Sequence, residues 1–134
     1  MHEILVRVVA SDIDELGHVN NTVYLRWVQD VAASHWRTVA SAEAQTAFAW
    51  VVLRHEIDYK LPALLGDEVL LRTWVGDATR LMFERHTQIL RRHDEQLLAR
   101  ARTLWCPIST TTGQPARVPR ELRAQFSADK RSLS

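Results

Sequence analysis

One amphipathic segment, Thr22 to about Trp36, is the only long helical pattern in a chain whose other periodic segments are typical of β-strands. Apolar residues recur along it at the spacing of one helix face; they are Val23, Tyr24, Trp27, Val28, Val31 and Ala32, with His35 half apolar. Strand patterns cover about 3–10, 50–60, 67–76, 81–92 and 96–108, separated by turn residues. One long helix with five strands predicts an α+β fold, in which a curved antiparallel sheet wraps around the helix.

The remaining segments are short. Residues 38–49 form a polar, Ala-rich connection with room for a second short helix, and 109–119 form a turn-rich return. A short helix is predicted over Arg120–Phe126, followed by a tail, Ser127–Ser134, that is expected to fray. The 134 residues suffice for a single domain, 1–134, with one core.

The last strand pattern predicts how closely the helix packs. Leu97, Ala99, Ala101 and Thr103 alternate on one face, with Arg100 and Arg102 on the other. We expect the small residues to face inward, so that the helix can approach the sheet closely.

Composition restricts the possible partners and locations. The chain is 46% apolar and 25% charged with a net charge of +1, so no overall charge draws it to nucleic acid or to a membrane surface. A lone cysteine, Cys106, excludes an intramolecular disulfide and fits a reducing cytoplasm. No apolar run reaches the roughly 18–20 residues of a membrane span, and Met1–Ala10 is too short for a signal peptide.

The stretch Ser11–Tyr24 carries the candidate chemistry. It places a carboxylate, an imidazole and two amides at the start of the long helix. A helix N-terminus presents unpaired N–H groups and a partial positive charge, which can polarise a carbonyl. A nearby aspartate can then attack that carbonyl or activate a water, so the stretch favours acyl transfer.

Each residue of this stretch also has a structural interpretation. Asp14 is a nucleophile, a general base or a turn cap. The backbone N–H of Asn21 is the candidate oxyanion donor. Asn20 orients the water or the carboxylate, or is the N-cap, a role that Asn21 could also fill. His18 tunes Asp14 or contacts the thioester end, or its ring satisfies a buried carbonyl.

Other catalytic classes lack their residues. Ser11 has no Gly-x-Ser-x-Gly elbow, and Cys106 lies in a strand pattern without a visible partner. The six histidines are scattered without metal-ligand spacing, so no metal site is expected.

The motif Asp-x-Asp-x-x-Gly-His-Val-Asn-Asn-x-x-Tyr, residues 12–24, resembles that of the hotdog-fold acyl-CoA thioesterases of the 4-hydroxybenzoyl-CoA thioesterase type. The likeness continues in Ile57–Asp67, in the last strand and in Pro115–Leu122, and covers roughly residues 3–125.

This resemblance implies a hotdog fold and a homodimer with composite active sites, often assembled as a dimer of dimers, a tetramer. It implies hydrolysis of an acyl-CoA without metal or cofactor. The carboxylate is then Asp14 and the carbonyl-polarising N–H lies near Asn21. The acyl preference does not carry over, because some members have bulky residues where this chain has Asn20 and Asn21.

Substrate-binding candidates come from the helix and from the arginines. Tyr24 is a core residue or takes part in catalysis or substrate binding, and Trp27 and Trp36 are core residues or form the floor of an acyl pocket. Fifteen of the 17 basic residues are arginine, the better partner for phosphate. Arg80 is the first candidate for the phosphates of coenzyme A, and the further candidates are Arg85, Arg91, Arg92, Arg100 and Arg102. A solvent-exposed strand face is the alternative for each.

Three other functions stay open at this point. The substrate could be an acyl-carrier protein, for which the arginines would supply a basic rim. The chain could be a non-catalytic acyl-CoA-binding subunit. A hydratase of the same fold is a third possibility, although the chain shows no clear copy of the hydratase motifs.

Overall fold

A computed structural model describes residues 1–79 and 81–129, with side chains up to Phe126. The elements in chain order are β1 (His2–Arg7), a 3₁₀ turn (Ala10–Asp12), α1 (Asn21–Val39), α2 (Ala42–Ala47), β2 (Phe48–Tyr59), β3 (Glu68–Ala78), β4 (Phe83–Arg91), β5 (Leu97–Ser109) and α3 (Arg120–Asp129). The predicted helices and strands are confirmed, with boundaries that move by up to three residues. Arg80 and the tail residues 130–134 lie outside the described residues.

The five strands form one antiparallel sheet in the order β1-β3-β4-β5-β2. Together with one long helix this is the predicted α+β, hotdog-type architecture. The edges of the sheet are β1, with six residues, and β2, with twelve. The longer edge strand therefore presents a row of backbone groups that no other strand in the described chain pairs.

The main core lies between α1 and the sheet. Val28 and Val31 of α1 are fully buried, as are Leu71 and Ile89 of the sheet. Burying a side chain such as Leu71 contributes about 1.5–3 kcal/mol. Neither α1, with its 19 residues, nor another helix in the described part of the chain is both long and apolar enough to cross a membrane.

A β-bulge modifies the alternation predicted for β5. Ala99 and Ala101 face the core as expected, and both are buried in the cluster that contains α1. The register between β4 and β5 shifts at Ile89/Leu90, however, so the fully buried residue before Ala99 is Leu98 and not Leu97. A bulge adds one residue to one strand. The side chains on one side of the bulge therefore point to the opposite face of the sheet from the one that strict alternation predicts.

A second, aromatic cluster lies beside the C-terminal half of α1. Phe126 of α3 packs against Trp36, Trp50 and Phe83, with ring centroids 6.1, 6.4 and 6.2 Å away. α3 continues to Asp129, three residues beyond its predicted end. The C-terminal helix therefore belongs to the folded core.

Candidate active site

The loop before α1 is a closed hairpin with Asp14 at its base. Ile13 and Val19 form an isolated antiparallel bridge. The N–H of Asp14 donates to the carbonyl of His18 at 2.8 Å, and the N–H of Gly17 donates to the carbonyl of Asp14 at 3.1 Å. Gly17 has φ +79°, a left-handed conformation that favours glycine. The Gly-His step of the motif therefore turns the chain back towards Asp14.

One oxygen of the Asp14 carboxylate holds this loop. Its Oδ1 accepts from the N–H of Leu16 at 2.9 Å and from the N–H of His18 at 3.3 Å. Its Oδ2 accepts no hydrogen bond within the described chain. Asp14 is half-buried and borders an open concavity shared with Ile13, Glu15, Leu16 and Asn20. The turn-cap role is thus real, and it leaves the second oxygen available for chemistry.

The start of α1 has the arrangement that acyl transfer needs. Asn20 is the N-cap, since its side-chain oxygen accepts from the backbone N–H and the hydroxyl of Thr22, both at 2.9 Å. Asn21 is the first helical residue, and its N–H donates no hydrogen bond within residues 1–79 and 81–126. That N–H lies at the positive end of the helix dipole, where it can polarise a carbonyl oxygen.

A second loop fixes the position of the helix start. The N–H of Val19 donates to the carbonyl of Ala63 at 3.0 Å, and the N–H of Ala63 donates to the hydroxyl of Tyr24 at 2.9 Å. The hydroxyl of Tyr59 donates to the carbonyl of Asn21 at 3.3 Å. These contacts tie the segment after β2 to the start of α1, which carries the free N–H of Asn21.

Asp12 has a structural role that the sequence analysis did not assign. Its side chain is buried, and it pairs with Arg26 of α1 at 3.1 Å. It also accepts from the N–H of Val9 at 3.0 Å, while its own carbonyl accepts from the N–H of Asn20 at 2.8 Å. The two aspartates of the motif are therefore distinct: Asp12 anchors the loop to α1, and Asp14 faces the concavity.

The alternative of a buried, structural His18 is wrong. His18 is exposed. Its contacts with Asp14 are made by its backbone: its carbonyl accepts from the N–H of Asp14, and its N–H donates to the Asp14 carboxylate. The imidazole of His18 is therefore open to solvent and not buried against a carbonyl.

Tyr24 and Trp27 lie in the main core, 3% and 2% exposed. Their rings meet edge to face at 5.3 Å, and Tyr24 meets Tyr59 in the same way at 5.3 Å. Burial raises the pKa of Tyr24 above its ordinary value, which keeps its hydroxyl neutral. These contacts agree with the core interpretation of both residues, and a role in substrate binding stays a prediction.

The arginine candidates occupy different environments. Arg91 donates to Asp67 at 3.4 Å, to Asp94 at 3.0 Å and to the carbonyl of Pro62 at 3.3 Å, so it braces the segment that supports α1. The hydrogen bond to Asp94 is the main reason that the pKa of Arg91 lies above its usual value.

Arg92 is exposed and pairs with Glu68 at 3.3 Å, and its role in substrate binding stays a prediction. Arg100 and Arg102 pair with Asp58 and Glu56 on the strand face. Arg80 lies outside the described residues.

Arg85 corrects the expectation of a surface phosphate contact. It is 5% exposed, because it shares the inward face of β4 with Phe83, Thr87 and Ile89. The period-2 pattern of this strand was the available signal, since it places Arg85 among core residues. Sequence reasoning missed this burial.

Among the described residues, no group of three or more His, Cys, Asp or Glu side chains could hold a metal ion.

Comparison with known proteins identifies the family. A model of the thioesterase-like superfamily matches residues 8–126. No curated protein matches the chain in sequence.

Solved structures share the fold over nearly the whole chain. A thioesterase from Thermus thermophilus, solved in complex with coenzyme A and Zn, is 26% identical with a TM-score of 0.82, covering 95% of this chain and 92% of its own. Slr0204 from Synechocystis, a 1,4-dihydroxy-2-naphthoyl-CoA thioesterase, is 23% identical with a TM-score of 0.81 and 96% coverage of both chains. The PA5185 protein from Pseudomonas aeruginosa is 17% identical with a TM-score of 0.85, covering 96% and 90%.

Proposed function

This chain is a thioesterase of the thioesterase-like superfamily, and we propose that it hydrolyses an acyl-CoA to a carboxylic acid and coenzyme A. The observation that carries the proposal is the free N–H of Asn21, at a helix start joined directly to the loop that presents Asp14. The coenzyme A bound by the Thermus thermophilus thioesterase supports the choice of thioester.

The thioester carbonyl oxygen binds at the N–H of Asn21 in this proposal. The helix dipole and the unpaired donor stabilise the negative charge that develops on that oxygen. The Oδ2 atom of Asp14 either takes a proton from the attacking water or attacks the carbonyl carbon itself. In the first route water adds to the carbonyl carbon and the C–S bond breaks. In the second route loss of the thiolate leaves a mixed anhydride on Asp14, and water then cleaves that anhydride and regenerates the carboxylate. In both routes the thiolate of coenzyme A takes up a proton, and the net reaction adds one water across the C–S bond.

The neighbouring polar residues assist these two groups. The side chain of Asn20 is engaged in capping, so we assign it the positioning of the Asn21 N–H. We assign the exposed imidazole of His18 the role of tuning Asp14 or of contacting the thioester end. Arg80 and Arg92 are proposed contacts for the phosphates, because arginine binds phosphate with two parallel hydrogen bonds.

The composite active site requires a second copy of the chain, and β2 is the edge at which we place it. Val51 and Leu53 on this strand are 43% and 53% exposed, which is unusual for large aliphatic side chains on a long edge strand. Pairing of two β2 edges would extend the sheet across a homodimer, and the dimer of dimers would follow from a further interface.

We expect light scattering to give twice or four times the 15.4 kDa mass of the chain. The Leu53→Lys variant should dissociate, because a charged lysine on an edge strand opposes strand pairing. The matched control is Leu81→Lys, at a residue that is 42% exposed in the β3–β4 connection, and it should keep the wild-type mass. A monomeric wild-type protein would contradict the composite site.

The experiment that tests the function measures thiol release from short, medium, long and aromatic acyl-CoAs, with and without a chelator such as EDTA. We expect turnover of at least one acyl class, unchanged by the chelator, since the proposed hydrolysis depends on a carboxylate and no metal. Turnover only with an acyl-carrier protein would move the proposal to that substrate. Binding of acyl-CoA without turnover would identify a non-catalytic subunit, and loss of activity with EDTA would refute the metal-free mechanism.

A further inference from the structure

Arg85 is a buried cation whose contacts in the described chain include no carboxylate. Its Nη1 hydrogen-bonds to the hydroxyl of Thr73 at 3.1 Å and to Nδ1 of His35 at 3.0 Å. The guanidinium carbon lies 5.7 Å from the centre of the Phe126 ring. No ion pair of Arg85 with Asp or Glu occurs within residues 1–79 and 81–126, whose side chains the structure describes.

A cation in this position stays charged. Burial lowers the pKa of Arg85 to about 10, which is still well above neutral pH. A buried charge is unfavourable unless an opposite charge or several hydrogen bonds compensate it. The compensating groups in the described chain are the hydroxyl of Thr73, the ring nitrogen of His35 and the face of the Phe126 ring, and none of them carries a negative charge.

The guanidinium borders an aromatic cavity of about 220 Å³. The side chains that shape it are Trp36, Trp50, Phe83, Trp105 and Phe126. The exposed residues Gln29 and Ala33 also line it, so the cavity opens to the surface beside α1. A cavity of about 150 Å³ holds benzene, so this one has room for a benzene-sized ring with a small substituent.

Two donors of Arg85 remain for a ligand. Its Nε and Nη2 atoms hydrogen-bond to no acceptor in the described chain. In the described part of the chain, the fully buried side-chain nitrogens without a hydrogen-bond partner are on Trp50, His55 and Trp105. Nε and Nη2 of Arg85 are not among them, so they are not fully buried. Arg85 is 5% exposed and lines the cavity, so the geometry points to the cavity as the side from which a ligand reaches these two nitrogens. They form the side of the guanidinium fork that matches the two oxygens of a carboxylate.

We propose that this cavity binds a small hydrophobic acid, whose carboxylate pairs with Arg85 and whose ring or short chain lies among the aromatic side chains. The apolar walls exclude most of the water that would weaken the ion pair. The carboxylate has two possible sources: a free acid, or a second acid group on the acyl chain of a thioester. The second source rests on the proposed function, and the first does not.

Binding is tested with benzoate and benzamide, which have nearly the same shape and differ in charge. Both are titrated into the whole protein while the tryptophan fluorescence is recorded, since three tryptophans line the cavity. We expect benzoate to bind at least about 10-fold more tightly than benzamide, the range for hydrogen bonds to a charged group. No turnover is needed, so failure of this test is distinct from failure of the proposed function.

Substitution of Arg85 shows whether the preference depends on it. Arg85→Met should abolish the preference for benzoate and leave benzamide binding within about 3-fold, because the length of the side chain is kept while its charge is lost. Arg85→Lys should retain a reduced preference, and the exposed Arg37→Met should behave as wild type. Equal binding of acid and amide by the wild type, or an unchanged preference in Arg85→Met, would overturn the proposal.

Kinetics distinguish the two sources. If the acyl chain carries the carboxylate, benzoate competes with acyl-CoA, and glutaryl-CoA is hydrolysed with a higher kcat/KM than valeryl-CoA in the wild type but not in Arg85→Met. If the ligand is a free acid, benzoate is not competitive, and the two thioesters are treated alike. Either result supports the carboxylate site, provided that the preference for benzoate over benzamide is lost in Arg85→Met.

Discussion

Replacing Asp14 with Asn is expected to lower kcat/KM by about 10²–10⁴-fold, the range for loss of a general base, while the melting temperature changes by no more than a few degrees. The loop should survive because an Asn oxygen can still accept from the N–H groups of Leu16 and His18. The negative charge and the proton acceptor are lost instead. Thiol release from the best acyl-CoA and thermal unfolding measure the two effects on the same sample.

Asp12 provides the matched control in the same motif. The Asp12→Asn variant removes the charge opposite Arg26 at a residue that is 3% exposed. It should lower the free energy of unfolding by about 1–3 kcal/mol, as for a hydrogen bond to a charged group, with a smaller effect on kcat than Asp14→Asn. If Asp14→Asn unfolds the protein and Asp12→Asn abolishes turnover, the two roles are exchanged and the mechanism above is wrong.

The sequence predicted the fold through patterns that act over short distances. The helix period identified α1 because one apolar stripe packs on one sheet, and Ala99 and Ala101 are buried in the cluster that contains α1. The choice of Asn20 or Asn21 as N-cap needed only local chemistry, and the structure selects Asn20. The bulge at Leu98 could not be predicted from the sequence of β5, because the register of this strand depends on its pairing with β4.

The candidate site was predictable in part for the same reason. Asp14, His18, Asn20 and Asn21 lie within eight consecutive positions, so a motif could place them together. The cavity beside Arg85 is assembled from α1, four strands and α3, and no local pattern announces it. The alternation of β4 was the one local pattern that indicated an inward-facing Arg85. Isolated buried charges are rare, so an arginine at that position is easily assigned to the surface.

Replacing Asn21 with Pro tests the proposed oxyanion donor by removing its backbone N–H hydrogen. Proline has no N–H, and it is favoured at the first position of a helix, where that N–H makes no helical bond. The preceding residue must be extended, and Asn20 already has φ −59° and ψ 139°. The N–H of Asn21 has no acceptor in the described chain, so the fold loses no hydrogen bond there.

We therefore expect Asn21→Pro to lower kcat by about 10²–10³-fold, the cost of one oxyanion donor, with a nearly unchanged melting temperature. The matched control is Asn21→Ala, which keeps the N–H, loses only an exposed side chain and should retain most of the activity. Equal activity of the proline and alanine variants would exclude the Asn21 N–H as the donor. A loss in both variants would assign the effect to the amide side chain, and carbonyl polarisation would then need another group at the start of α1.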